Sequence, residues 1–512
     1  MNSETEAAWQ YHNQTKHSYW SIRTTAHYLD WANQPSPFKV YPEIEPIALP
    51  REFTPTGVPA LEAIASTGTE AHGDVMPTLD QLASILFYSA GVTKQKTYPG
   101  GTIYFRAAAC AGALYPVEIY VVCAELEGLT AGVYHFNPGD FALRRLRDGD
   151  YRGVLVRATA NESSIAHAPV ALVYTAISWR STWKYRDRAY RYHFWDNGMI
   201  AANALAMAAA HSIPAELVMG FVESDMNRLV GIDGKRELAL SLIALGRSKE
   251  TAPALSSIEE IPELKIQVAP LSYSQVDYQS IQEMHAASSL ESGDEVVEWR
   301  NVHADCAAPQ AAGKVIYLSP AANLPRVTIE EVIERRASTR RFARKAISLS
   351  DLSTILDCAT RGIGADLLPD SKAQLNDLYL IVNRVDGLAS GAYFYRRDER
   401  AVELLKEGDK SERAAYLTLE QDLGGDSSVT VFFMYDMNKL LAAYGNRGYR
   451  AVQMEAGIIG GKIYIASYTL GRGATGLTFY DDDVTEFFSP HAAGKSCIFV
   501  MAVGVPGKRP ML

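Results

Sequence analysis

The sequence is short of cysteine, of net positive charge and of long apolar runs. Its five cysteines (Cys110, Cys123, Cys306, Cys358 and Cys497) are scattered with no CxxC pair. That argues against a disulfide framework or a zinc ribbon and fits reduced thiols. Lys and Arg number 49 against 59 Asp and Glu, a net charge of −10. Non-specific attachment to nucleic acid or an anionic membrane is therefore not expected, although a local basic pocket for one phosphate remains open. The N-terminal stretch MNSETEAAWQYHNQTKHSYW has no apolar core of the kind a secretion signal needs, so a cytoplasmic location is expected. The most apolar window, 199–222, is interrupted by His211 and Pro214 and reads as a buried core helix, not a membrane span. No HExxH, paired-carboxylate or Gly-x-Ser-x-Gly element stands out. Histidines such as His135, His193 and His211 have no metal-ligand spacing, so no metal is expected.

What the chain does have is an internal repeat. KYRDRAYRYHFWDNG (184–198) recurs as AYGNRGYRAVQMEAG (443–457). Tyr185, Arg188, Tyr190, Arg191 and Gly198 return as Tyr444, Arg447, Tyr449, Arg450 and Gly457, all 259 residues later. GLTAGVY (128–134) maps onto GLASGAY (387–393) at the same spacing. A constant offset over separate motifs indicates a duplication. The helix signal TLDQLASIL (78–86) recurs as SLSDLSTIL (348–356) at an offset of 270, so the halves differ by an insertion of eleven residues between helix and strand. The order helix, strands, helix, strand in each half predicts an α+β architecture. Strands are expected at 117–126, 171–177, 377–385 and 429–435, and long helices rich in small residues from about Asp196 and Glu455. Residues 1–60 read as an extended arm, 61–250 as the first domain, 251–325 as a surface connector with one helical patch at 280–290, and 326–512 as the second domain.

The two halves have lost different things. Lys184 is matched by Ala443. Arg336, Ser338 and Arg340, in ERRASTRRF (334–342), have no basic counterpart in the first half, where Ser66 and Glu70 stand. In the other direction Gly112, Tyr115 and Pro116 correspond to Ser371, Gln374 and Leu375.

RAAACAGALYPVEIYVV (106–122), the GLTAGVY hairpin and KYRDRAYR together resemble the SagB-type dehydrogenases, a branch of the FMN-dependent nitroreductase family that includes azoline oxidases. YHNQTKHS (11–18) through PFKVYP (37–42) resembles that branch's N-terminal arm, and ERRASTRRF the general nitroreductase opening. The resemblance implies two nitroreductase-like domains, each a central mixed or antiparallel sheet flanked by helices, forming an intramolecular pseudo-dimer. It implies FMN bound between the halves, with Arg336, Ser338 and Arg340 from one and Cys110, Ala111, Gly112, Ala113, Leu114, Tyr115 and Pro116 from the other. Complementary losses then leave one composite site alive and its mate dead.

Two guanidiniums flanking a serine suit a phosphate and the electron-rich edge of a flavin, because the fork is permanently charged and pairs with oxygens; a solvated basic surface is the competing reading. Small residues at 109–113 let backbone N–H groups approach a ligand, or form an ordinary helix-to-strand turn. Cys110 reads as a small filler. Gly476, in RGATGLTFYDDD, resembles the glycine beside the reacting nitrogen of the flavin, and Lys508 with Arg509 the C-terminal phosphate contact; a loop glycine and a solvated tail are the alternatives. Asp481, Asp482 and Asp483 read as a helix start or a solvated turn. Lys184 and Tyr185 resemble the proton-abstracting pair of azoline dehydrogenases. Tyr185 survives in the second half and Lys184 does not, which points to Lys184 as the base and leaves Tyr185 open between catalysis and packing. Arg180, Arg186, Arg188 and Arg191 are expected to crowd Lys184 and lower its pKa.

The activity implied is FMN-dependent dehydrogenation in natural-product biosynthesis, foremost azoline to azole, on a small or peptide-borne substrate and with a biosynthetic partner protein possible. The alternatives are oxidation of another amino-acid-derived intermediate and a non-catalytic flavin-binding module. A monomer suits a pseudo-dimer already built into one chain.

Overall fold

A computed structural model of the chain describes residues 2, 4–24, 27–67, 73–98, 101–255, 261–302 and 310–507. Two seven-stranded sheets dominate it. The first runs, edge to edge, Ile47–Ala48, Ala142–Asp148, Gly132–Asn137, Val117–Cys123, Val170–Ile177, Glu237–Leu245 and Ala215–Val218. The second runs Val315–Tyr317, Ala401–Glu407, Gly391–Arg396, Asp377–Val382, Val429–Asp436, Lys495–Gly504 and Gly473–Leu477. Every pairing within both is antiparallel. The two orders match strand for strand, as a duplication requires. The central strands are buried on both faces, so they carry continuous apolar runs, not alternation.

Between the sheets lie two long helices, Ala189–Ala210 and Arg447–Thr469, almost every residue of which is buried. Both begin seven or eight residues before the expected starts at Asp196 and Glu455. No breaker separates the Tyr/Arg segments from the apolar ones, and the arginines find buried partners, so the helix extends through them. The helices cross at Gly198 and Gly457, the matched glycines of the repeat. A Cβ on Gly457 would stand 2.5 Å from the Trp195 carbonyl oxygen and 3.0 Å from Gly198 Cα, and one on Gly198 only 2.7 Å from Gly457 Cα. Gly457→Ala is therefore expected to destabilise the protein by about 1–3 kcal/mol, the usual range for overpacking, because backbone and not a movable side chain blocks the methyl. Chemical denaturation measures this, and an unchanged midpoint would remove the close crossing as the reason for both glycines.

The repeated arginines lock one half to the other. Asp481, at the start of helix Asp481–Phe488 in the second half, accepts from Arg188 Nη1 at 2.9 Å and Arg191 Nη1 at 2.7 Å. Glu223, at the start of helix Glu223–Val230 in the first half, pairs with Arg447 and with Arg450 Nη1 at 2.7 Å. All six side chains are buried. Burial opposes ionisation of Asp481, yet the two guanidiniums hold its carboxyl below the usual range. Asp481 thus begins a helix as expected, but inside the protein.

Residues 1–60 are not merely an extended arm. Glu6–Gln14 is a helix that buries Ala8, Tyr11 and His12, an i, i+3, i+4 face. Arg191 Nη2 donates to His12 O at 2.8 Å, Arg188 Nη1 to Thr15 O at 2.6 Å, and His17 N to Asp481 Oδ2 at 2.8 Å. The connector repeats this on the opposite side. Its helix Gln279–Ala287 buries Ile281, Met284 and His285. Arg450 Nη2 donates to His285 O at 2.6 Å, Arg447 Nη1 to Ser288 O at 3.0 Å, and Leu290 N to Glu223 Oε2 at 2.7 Å. His12, Thr15 and His17 correspond to His285, Ser288 and Leu290, each 273 residues later. The edge strands Ile47–Ala48 and Val315–Tyr317, one from each segment, close equivalent sheet edges. The arm and much of the connector are two copies of one unit, and each helix caps a cross-half arginine cluster.

Candidate active site

The loop between the hairpin strand Gly101–Arg106 and the central strand Val117–Cys123 meets the second half at a cleft. Arg336 reaches across and donates from Nε to Ala107 O at 2.9 Å and from Nη2 to Arg106 O at 3.1 Å. Its fork is thus largely committed to holding the loop. Arg340 is exposed and, among the described residues, has no ion-pair partner. Ser338 Oγ lies 3.1 Å from the Tyr464 hydroxyl, which also accepts from Gly476 N at 3.0 Å.

The loop itself is pinned from beneath. Asp196 accepts from Ala111 N at 2.9 Å and from Cys110 Sγ at 3.1 Å, and Cys110 Sγ accepts from Tyr115 N at 3.1 Å. Burial pushes the Asp196 carboxyl up to about 7, and burial with Asp196 alongside pushes the Cys110 thiol well up. Cys110 is more than a filler, since it ties the loop to the long helix. Gly112 and Ala113 turn the loop with positive φ (64° and 54°). A Cβ on Gly112 would stand 2.7 Å from the Tyr185 hydroxyl and 3.3 Å from Lys184 Nζ. Glycine is needed there for a second reason besides its φ: Lys184 and Tyr185 press against that face of the loop. Leu114 packs instead with Trp179 and Trp183 beneath it, and Pro116 leads into the central strand.

Lys184 ends the helix Ser178–Tyr185 with an exposed side chain, its Nζ 5.3 Å from the Tyr185 ring centroid. Although its tip stays open to solvent the side chain is half enclosed, and that partial desolvation first, and Arg340 second, lower its pKa, while burial raises that of Tyr185. The expected source of this shift was wrong. Arg180 is buried in an ion pair with Glu118, and Arg188 with Arg191 neutralises Asp481. A cation contributed by the other half acts on Lys184 instead. Lys508 and Arg509 lie outside the described residues.

The cleft thus gathers Cys110 to Ala113, Lys184 and Tyr185 from the first half, and Arg336, Ser338, Arg340 and Gly476 from the second. Sequence reasoning missed Asp196 and Tyr464. Each had a signal: Asp196 is matched 259 residues later by Glu455, an acid kept inside an apolar helix, and Tyr464 by the apolar Leu205.

At the pseudo-symmetric position the chain closes against the mate of Gly476. Leu217 stands in the first sheet's edge strand where Gly476 stands in the second's, each three residues into its partner strand from a matched glycine, Gly246 or Gly504. Leu217 N donates to Gly364 O at 3.0 Å, and Asp366 N to Leu217 O at 3.1 Å. The Asp366 carboxylate takes Met219 N at 2.9 Å and Gly220 N at 2.8 Å, and Tyr444, the mate of Tyr185, donates to Leu367 O at 3.0 Å. Residues 364–367 thus lie against the edge strand at the mate of Gly476, through a single parallel bridge between Ala365 and Leu217.

An antiparallel α+β pair of domains with a composite cleft between them defines a fold shared with flavin-dependent oxidoreductases. The nitroreductase family model matches residues 51–247 and 333–505, and the chain belongs to the nitroreductase family as a tandem of two such domains. A nitroreductase homologue of Methanocaldococcus jannaschii is 32% identical over 173 residues, 34% of this chain and 82% of that protein. The trifolitoxin-processing protein TfxB of Rhizobium leguminosarum bv. trifolii is 28% identical over 179 residues, 33% of this chain but only 47% of TfxB. A crystal structure of a nitroreductase homologue from Anabaena variabilis ATCC 29413 covers 98% of this chain and all of its own, at 25% identity and a TM-score of 0.77. Among the described residues no helix is long and apolar enough to cross a membrane, and no cluster of His, Cys, Asp or Glu could hold a metal.

Proposed function

We propose that the chain is an FMN-dependent dehydrogenase with one flavin per chain, acting in a biosynthetic pathway on an azoline within a modified peptide. The observation that carries this reading is the convergence at Gly112. There Lys184, the lysine of the segment 184–198 that is replaced by Ala443 in its copy, meets the small-residue loop, and partial burial with Arg340 from the other half lowers its pKa. The residues fit the cofactor: Arg340 has no ion-pair partner among the described residues and can take a phosphate, Ser338 offers a hydroxyl, and exposed Gly476 leaves room for a flat ring. Bound FMN supplies a hydride acceptor. Lys184 takes the proton that leaves the substrate carbon, Tyr185 stands against its ammonium, Arg336 holds the loop, and Asp196 fixes the loop's backbone. The relation to TfxB, a trifolitoxin-processing protein, supports a role in natural-product processing; a peptide-borne substrate, and a partner protein that presents it, belong to the same proposal.

Flavin released from denatured protein is expected at one equivalent per chain. Arg340→Ala is expected to weaken FMN binding by about tenfold or more, as loss of one charge-assisted contact does. An azoline-containing peptide should then bleach the bound flavin without oxygen and lose two hydrogens with it. Two flavins per chain would reopen the second cleft; no flavin after reconstitution would sink the dehydrogenase reading.

A further inference from the structure

The Tyr464 hydroxyl has two partners among the described residues, Gly476 N at 3.0 Å and Ser338 Oγ at 3.1 Å. The first must donate, because an N–H has no other role. The phenol then has one hydrogen left to place, and Tyr464 is only 3% exposed. Leaving that hydrogen unpaired is costly, so the phenol donates to Ser338 Oγ. Ser338 has now accepted, and its own hydrogen is free to turn into the cleft. We propose that Tyr464 is a positioning residue that orders this chain, Gly476 N–H to Tyr464 O–H to Ser338 O–H, and so makes Ser338 a committed donor to an acceptor oxygen of the cofactor. The same chain withholds the Gly476 N–H from the cofactor.

Packing alone does not explain the hydroxyl. The matched position on the other long helix is Leu205, which has no hydroxyl, and the mate of Gly476 there is Leu217. The Arg336 guanidinium carbon lies 5.5 Å from the Tyr464 ring centroid, so the ring also steadies the arginine that holds the loop. Phenylalanine would keep both the ring and that contact while removing only the hydroxyl. The proposal rests on the flavin reading, and the test separates the two.

FMN and riboflavin affinities of the wild type, Tyr464→Phe, Ser338→Ala and the double variant would be measured by fluorescence titration. Each single substitution is expected to weaken FMN binding by about tenfold. The double variant should be no weaker than Ser338→Ala alone, because both remove one donor. Riboflavin binding unchanged in all variants would place the acceptor on the phosphate, and a parallel loss would place it on the rest of the flavin; either supports the relay. Tyr464→Phe binding FMN as the wild type does, or two losses that simply add, would overturn it. Wild type that binds neither flavin would sink the flavin reading and this proposal together, whereas one FMN per chain with an indifferent Tyr464→Phe sinks the relay alone.

Discussion

Lys184→Ala is expected to lower turnover by about 10²- to 10⁴-fold, the range for loss of a general base, with the FMN content unchanged. The side chain is exposed and pins no backbone, so folding should be untouched. Lys184→Arg should be nearly as inactive, because a guanidinium cannot release its proton. Burial and Arg340 both disfavour the ammonium, so the neutral base is more abundant near neutrality than in an ordinary lysine with a pKa of about 10.4. Turnover should therefore rise with pH, with its midpoint below that value. In Arg340→Ala, assayed at saturating FMN, the midpoint should move up. Full activity of Lys184→Ala would transfer the proton to another group, with Tyr185→Phe the next variant to assay.

Asp481→Ala is expected to cost about 3–5 kcal/mol, as removal of one partner from a buried ion cluster does. It would leave Arg188 and Arg191 buried without a counter-charge and would loosen the arm, whose His17 N–H bonds to Asp481 just beyond the helix. The next residue along provides the contrast. Asp482 is 76% exposed in its pair with Lys16, and Asp482→Ala should change stability by less than about 1 kcal/mol. Urea denaturation compares the two. Equal effects would mean that the cluster does not hold the halves together.

The sequence made the frame of the site legible because fusion leaves a record: two copies with a constant offset show which positions differ. Lys184 against Ala443, and the arginines of 336–340 against Ser66 and Glu70, were visible for that reason. What escaped were residues whose meaning lies in a partner far along the chain. The arginines of the repeated segment looked like a cationic pocket, because Asp481 and Glu223 lie 224 to 293 residues away from them in sequence. The arm helix escaped because only one histidine survives between its copies, too little to show a repeat at 273. Tyr464 escaped because a tyrosine in an apolar helix reads as core until a glycine N–H and a serine are seen to meet it.

The segment at 364–367 also bears on how such a chain can change over time. In a pair of identical subunits, any substitution that fills one cleft fills both, and the activity goes with it. Joining two copies end to end ends that coupling. One copy's site can then accept a plug, lose its cations and become scaffold without touching the other's, and the plug's backbone bonds to Leu217 and its Asp366 carboxylate's bonds to the Met219 and Gly220 N–H groups now support the fold. Such a change is hard to reverse. Reopening that position would demand both new ligands and new partners for the segment it displaced, so on the one-flavin reading proposed above the duplication works in one direction only.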